Sequence, residues 1–336
     1  MIATGVVIRA AGAHDLEALH TLAKSAGLGM TNLPSCRDKL AALLAGSAAA
    51  FAGARGHSQM LLVLENDGEV VGTGCIFPSV GGDWPFYSYR IGRIRQASQA
   101  LGKTVENTLL TPVNDYDGSA EVGGLFVRPG LRGVAGGRLM ARSRYLFMAD
   151  HRDWFGDRVV SELRGFQDED GVSPFWEAVG KRFYGLEFSE ADKISVGAGK
   201  QVIADLGPKY PIYLNLLSPE AAAAVGRCHP DGQRAQTLLM EEGFRFEGCV
   251  DIFDGGPTMV ADIDGLKAVR DSRVATVAAI GACEDGPEML VATGHGADFR
   301  ASRGRIWRGE GGLTLPPDLA RALDVQVGDR VRHVEF

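Results

Sequence analysis

Apolar and polar positions change their period several times along the chain, and each change marks an element. Val6, Val7 and Ile8 run together in GVVIRA and predict a short strand over 5–9. Leu16, Leu19, Leu22 and Ala23 then recur at three- and four-residue spacing, the pattern of one face of a helix. The runs MLLVLEN and EVVGTGCIF stand on either side of Asn66-Asp67-Gly68, residue types that tolerate positive φ, and predict an antiparallel hairpin. A strand over 121–127 ends at Arg128-Pro129-Gly130, because proline removes a ladder donor and glycine permits the turn. A glycine-rich loop follows, and from about Gly137 the positions Leu139, Met140, Leu146 and Phe147 predict a helix facing a sheet.

Farther along, SPEAAAAVG predicts a capped helix with Ser218 at the N-cap, Pro219 in the first turn and Gly226 at the end. A second helix is predicted over 232–242, stopping at Gly243. Between them, in RCHPDG, Pro230 pushes His229 out of helical conformation and onto a loop. From about Met259 short β-branched runs (RVATVAAI, MLVATG, DRVRHVEF) alternate with Gly/Asp turns, interrupted by one short helix, PPDLARAL. The expected organisation is a larger α+β region over 1–258 and a small β-rich accessory module over 259–336. A chain of 336 residues suits about two domains.

Composition narrows the function classes. The formal net charge is −7, and the β-rich tail carries ten Lys/Arg against twelve Asp/Glu, so no basic surface for nucleic acid is expected. No apolar run approaches the roughly 18 residues that cross a bilayer, and MIATGVVIRA lacks a signal peptide's apolar block, so the expectation is a cytoplasmic protein with no membrane contact. Five widely spaced cysteines without a CxxC pair read as free thiols, and no Cys/His cluster predicts a metal.

Glycines between a strand and a helix commonly cradle a phosphate. A P-loop would close with Lys-Ser/Thr and a dinucleotide fingerprint would read G-x-G-x-x-G; GLRGVAGGR supplies neither. Arg132-Gly133-Val134-Ala135-Gly136-Gly137 resembles the Gln/Arg-x-x-Gly-x-Gly/Ala loop of the GNAT acyl-CoA N-acyltransferases, with Ala135 where that motif most often has its first glycine. The resemblance implies that Arg132, Gly133, Gly136 and Gly137 bind the CoA pyrophosphate through backbone N–H groups and the helix N-terminus. It also implies that Leu125, Phe126 and Val127 contact the acyl-CoA. The order β-α, hairpin, strand, loop, helix is the GNAT order.

Longer stretches, PFYSYR, SELRGFQDEDGVSPFWEAVGKRFYGLEFSEAD, PKYPIYLNLL and EEGFRFEGCVDIFDGGPT, resemble the arginine N-succinyltransferase family. That resemblance implies transfer of a succinyl group from succinyl-CoA to the α-amino group of L-arginine in the succinyl-dependent pathway of arginine catabolism. It places the family's proton donor at His229 and its succinyl-CoA contact at Leu125. Histidine titrates near neutral pH, which suits aminolysis of a thioester. His14, His20 and His57 lie in surface-like segments, His151 follows the helix after the loop, and His295 and His333 lie in the tail. Cys228 offers an alternative nucleophile, which requires a partner that lowers its pKa.

Arginine as acceptor requires a cation for its carboxylate and a carboxylate for its guanidinium. Arg90 and Arg164 are the candidates for the first, and Glu162, Asp115 and Glu177 for the second. Ser119 and Asn114 are candidates for the succinyl carboxylate, and Gly123 and Gly124 for opening the strand to the thioester. Alternatives keep the chemistry with ornithine or acetyl-CoA, or make the chain a weakly catalytic GNAT-shaped subunit of a two-chain enzyme. A homo-oligomer, or an assembly with a paralogous subunit, is the expected state.

Overall fold

The computed structural model describes residues 5–25, 33–53, 58–82, 84–129, 136–191, 194 and 205–336. In chain order the strands are β1 (Val6–Ala10), β2 (Met60–Asn66), β3 (Glu69–Phe77), β4 (Ser88–Ser98), β5 (Lys103–Val113), β6 (Ala120–Val127), β7 (Arg158–Glu162) and β8 (Ile212–Tyr213). They continue with β9 (Arg245–Asp251), β10 (Pro257–Asp262), β11 (Arg273–Ile280), β12 (Glu288–Thr293), β13 (Arg300–Arg305), β14 (Trp307–Gly309), β15 (Gly312–Leu315) and β16 (Arg330–Glu335). The main helices of the first half are α1 (Leu16–Ser25), α2 (Arg37–Phe51) and α3 (Gly136–Asp150). The class is α+β, and β1, α1, the β2–β3 hairpin, β6 and α3 follow one another in the GNAT-like order expected from sequence.

The chain folds into two compact units made of interleaved segments. The first comprises Met1–Ser79, Ser119–Val159 and Asp262–Phe336, and the second Val80–Gly118 and Val160–Ala261. The residue at which the β-rich pattern begins, Met259, lies within β10, three residues before the chain returns to the first unit at Asp262.

In the first unit the strand order is β14-β15-β11-β16-β12-β13-β1-β2-β3-β6. The tail therefore shares one sheet with the N-terminal strands: β1 pairs antiparallel with β13, Ile8 opposite Ala301, and also with β2. The hairpin turns through Asp67 at φ 51° and Gly68 at φ 83°, the left-handed pair that matches strand twist. Leu19 and Leu22 of α1 and Leu40 and Leu44 of α2 pack with Leu61 and Val63 of β2 in one buried cluster. His20, expected on a surface, is 5% exposed instead, because it neighbours Leu19 on the buried side of α1. His151 is a satisfied core histidine. Its Nδ1 meets Phe147 O at 2.9 Å, its Nε2 accepts from Gly296 N at 3.0 Å, and its ring stacks on Phe147.

The tail packs Val277, Val291, Leu313, Leu315 and Val331 against Leu319 and Leu323 of the short helix Pro317–Leu323. His333 of β16 is 2% exposed. Burial first, and the Arg308 and Arg273 guanidinium groups second, push its pKa down from 6.5 to about 4. The folded protein thus holds this ring neutral where the unfolded chain would protonate it. Its contribution to stability is complete above pH ~6.5 and is lost as pH falls from there toward 4, up to about 3 kcal/mol. Melting temperature measured from pH 7.5 to 4 is expected to fall less steeply in His333→Leu than in wild type; parallel curves would remove His333 as a source of acid sensitivity.

The second unit has the strand order β7-β10-β9-β4-β5-β8. Ser88, Tyr89 and Arg90 of β4 pair with Asp251, Val250 and Cys249 of β9, while β4 and β5 continue as a ribbon paired along all eleven positions. Its core gathers Phe175, Trp176, Tyr89, Val250 and Phe253. Trp176 stacks on Tyr184 and donates from Nε1 to Leu186 O at 3.0 Å. No helix among the described residues is long and apolar enough to cross a membrane.

Candidate active site

In the second unit three segments distant in sequence meet around His229. Phe166 N donates to Arg227 O at 3.0 Å and His229 N to Arg164 O at 2.8 Å, so the stretch after β7 runs alongside 227–229. Gly165 and Cys228 form a bridge within that pairing. The third segment is the turn between β9 and β10. Gly226 N donates to Gly255 O at 2.8 Å, and the Asp254 carboxylate accepts from Gly165 N at 2.7 Å and from Gly256 N at 2.8 Å. The glycines are required by proximity: a Cβ on Gly165 would stand 2.3 Å from Asp254 O, and one on Gly256 2.0 Å from Leu163 O.

Pro230 holds His229 at φ −55°, ψ 143°, extended as the residue before a proline must be. The ring caps the short turn that follows, with Nδ1 accepting from Asp231 N at 3.1 Å. In the neutral ring this acceptor role assigns the proton to Nε2. The side chain is 15% exposed and the Asp231 carboxylate lies 3.8 Å from Nδ1. Partial burial, and then the nearby Arg164 charge, hold the His229 pKa below the usual imidazole range, against a smaller opposing pull from Asp231. The ring is therefore uncharged at neutral pH and offers an N–H from Nε2.

Cys228 is buried beside it, and burial followed by Asp254 pushes its thiol up to about 11. A thiol so raised is protonated at neutral pH and is a poor nucleophile, which weakens the case for Cys228 as the alternative nucleophile.

The other candidates fall in distinct places. Arg164 directs Nη2 to Gln167 Oε1, and Glu162 is half-buried at the end of β7. Arg90, on β4, forms an ion pair with Asp115, Nε to Oδ2 at 2.8 Å, so the structure joins two residues that the sequence assigned to opposite ends of the arginine substrate. Glu177 pairs with Lys181, and Asn114 Nδ2 donates to Asp117 Oδ2 at 3.3 Å. Ser119, in the first unit, is 7% exposed.

The residues assigned to acyl-CoA belong to the first unit. Leu125 and Phe126 are half-buried and Val127 buried on β6. Gly136 and Gly137 open α3, whose first N–H groups have no partner within the helix. A Cβ on Gly137 would meet no atom within 4 Å, so backbone there is open to close approach. Arg132 and Gly133 lie outside the described residues. Of the two glycines, Gly123 stays paired and Gly124 enters a β-bulge: Thr73 faces Phe126 and Cys75 faces Gly123, leaving Gly124 and Leu125 together opposite Gly74. Among the described residues no group of three or more His, Cys, Asp or Glu is arranged to hold a metal.

Asp254 is the site residue that sequence reasoning did not single out. Its signal was the Asp-Gly-Gly turn inside VDIFDGGP.

Comparison with known proteins decides the family. The model described as arginine N-succinyltransferase beta subunit matches residues 6–268, and that of the same subunit's C-terminal domain matches 273–335. The chain belongs to the arginine N-succinyltransferase family. Within it, the arginine N-succinyltransferase subunit beta of Pseudomonas aeruginosa is 38% identical over 98% of this chain and 98% of its own. The arginine N-succinyltransferase of Salmonella paratyphi B is 41% identical over 98% and 97%. The solved structure of arginine/ornithine succinyltransferase subunit AI from Pseudomonas aeruginosa superimposes with a TM-score of 0.89 at 36% identity, covering 99% of both chains. Arginine N-succinyltransferases are acyl-CoA-dependent N-acyltransferases, and this chain is an enzyme of that class.

Proposed function

We propose that this protein transfers the succinyl group of succinyl-CoA to the α-amino group of L-arginine, yielding N2-succinylarginine and free CoA in arginine catabolism. The observation that carries the reading is the end-to-end match at 38–41% identity to relatives named for that reaction. The amine attacks the thioester carbonyl, the C–N bond forms, and the C–S bond breaks. One proton leaves the nitrogen and one reaches the departing sulfur. The neutral His229 ring takes up the first of these and, as the imidazolium so formed, gives its Nε2 proton to the sulfur, ending neutral again.

Leu125, Phe126 and Val127 lie along the acyl-CoA arm, and the loop of Arg132, Gly133, Gly136 and Gly137 takes the pyrophosphate at the start of α3. Arg164, beside His229, is the better placed cation for the arginine carboxylate, since Arg90 is already engaged by Asp115. Glu162 is the proposed partner for the guanidinium. The reaction is assigned to the cytoplasm, without a metal, nucleic acid or membrane partner. Residues 259–336 are assigned to an accessory role in a homo-oligomer or in an assembly with a paralogous subunit.

The test is thiol release from succinyl-CoA or acetyl-CoA with L-arginine, L-ornithine or no acceptor. Release that depends on succinyl-CoA and arginine together is expected. Faster release with ornithine or acetyl-CoA would reassign acceptor or donor. Saturable CoA binding without any release would replace this reading by a subunit that needs its partner.

A further inference from the structure

The buried face of α3 carries a charge that the proposed chemistry leaves unused. Arg144 is 2% exposed, desolvation works against its charged form, and no carboxylate among the described residues pairs with it. Its Nη1 donates to Gly123 O at 3.1 Å and reaches Cys75 O at 3.4 Å, while Nε has no hydrogen-bond partner among the described residues. Besides these carbonyls the guanidinium has only the Tyr145 ring, 6.0 Å from Cζ, among the described residues; a buried cation so held is expensive, and an apolar side chain would fill the position at lower cost. The charge therefore needs a task at those carbonyls.

The Gly123 carbonyl is on β6 and the Cys75 carbonyl on β3, where Cys75 and Gly123 form the pair beside the β6 bulge. Gly124 adopts φ 58°, and its carbonyl accepts from Thr73 Oγ1 at 3.1 Å. Gly74, the single residue opposite the bulge, gives the helix access: a Cβ there would stand 2.7 Å from Met140 Sδ and 3.5 Å from Arg144 Cδ. Two consecutive carbonyls of the strand, those of Gly123 and Gly124, are thus held by side chains. A peptide unit is planar, so fixing the Gly123 carbonyl fixes the Gly124 N–H, and fixing the Gly124 carbonyl fixes the Leu125 N–H, each directed oppositely to its carbonyl.

We infer that Arg144, together with Thr73, is a positioning residue that sets the two peptide planes of the β6 bulge and so orients the backbone N–H groups offered to the acyl thioester. The inference rests on the assignment of β6 to the acyl donor. Arg144 touches no substrate in this scheme; it acts through the strand.

The experiment compares wild type with Arg144→Met, Arg144→Lys, Thr73→Val and the Arg144→Met/Thr73→Val double variant. Steady-state kinetics, CoA titration calorimetry and amide hydrogen exchange are read for each. Arg144→Met is expected to lower kcat about 10–100-fold, the scale of a small misplacement of reacting groups, with the KM for arginine unchanged. Arg144→Lys recovers part of the loss, because it restores a buried donor. The double variant loses less than the product of the two single losses, since both side chains hold one bulge. Exchange rises in the 121–127 peptide and not along α3. An unchanged kcat in Arg144→Met, losses that multiply, or loss proportional to the fraction of protein that no longer binds CoA would each overturn the inference. If Arg144→Met does not fold, Arg144→Lys and Thr73→Val complete the same cycle. If wild type releases no CoA, the acyl-transfer reading fails, and unaltered exchange at 121–127 in the variants would separately overturn the clamp.

Discussion

His229→Ala is expected to lower kcat by about 10²–10⁴-fold while CoA affinity stays within about twofold, the pattern of a lost proton transfer rather than lost binding. The ring sits among the motifs that identify the family, and its Nδ1 is occupied by Asp231 N, leaving Nε2 for chemistry. Alanine also removes the cap on the following turn. His229→Asn separates the two effects, because asparagine caps well and keeps an acceptor but cannot exchange protons near neutral pH. Asparagine should therefore restore melting temperature without restoring turnover. The pKa held down by burial and Arg164 places the acid limb of the wild-type rate profile below pH 6.5. Full activity in either variant would end the assignment of His229 to proton transfer.

The second large effect is expected at a residue outside the proposed chemistry. Each oxygen of Asp254 accepts one backbone N–H, from Gly165 and from Gly256. Asp254→Asn keeps the size but turns an NH₂ group toward one of those donors, so a buried N–H loses its acceptor. The cost should be about 2–4 kcal/mol, because a charged acceptor is lost and a donor is left unsatisfied. The carboxylate ties together the segments that carry Arg164 and His229, so kcat should fall with stability. Thermal melting and activity at a temperature where the variant is still folded measure the two losses. An unaltered melting temperature would show that the carboxylate is not needed to hold the crossing.

Sequence made the local elements legible where one period dominates. The hairpin turn at Asp67-Gly68, the Ser218 cap, with its hydroxyl accepting from Ala221 N, and the helix stop at Gly243, φ 110°, all follow from short-range chemistry. Helix α2 has no comparable signature, since alanines surround it and single out no face. The β4–β5 ribbon carries Arg93 and Arg95 and anchors to β9 through only three residues, a contact made across more than 150 positions. Motif specificity also exceeds motif chemistry: in SPFWEAVG, Phe175 and Trp176 are core residues, and a Cβ on Gly180 would lie 2.1 Å from the Trp176 ring. Asp254 could not be recognised as an anchor, because its partner Gly165 arrives from 89 residues away. Arg144 stands four residues after Met140 on α3, a spacing that shares a face with a buried methionine, which is the one hint that its charge is internal.

The pairing of β1 with β13 has a consequence for synthesis. The strand that covers the second edge of residues 6–9, with Ser302 Oγ donating to Val6 O at 2.5 Å, is translated almost three hundred residues after them. During elongation the nascent sheet therefore exposes a strand edge that can recruit other chains until β13 has been made and closes it.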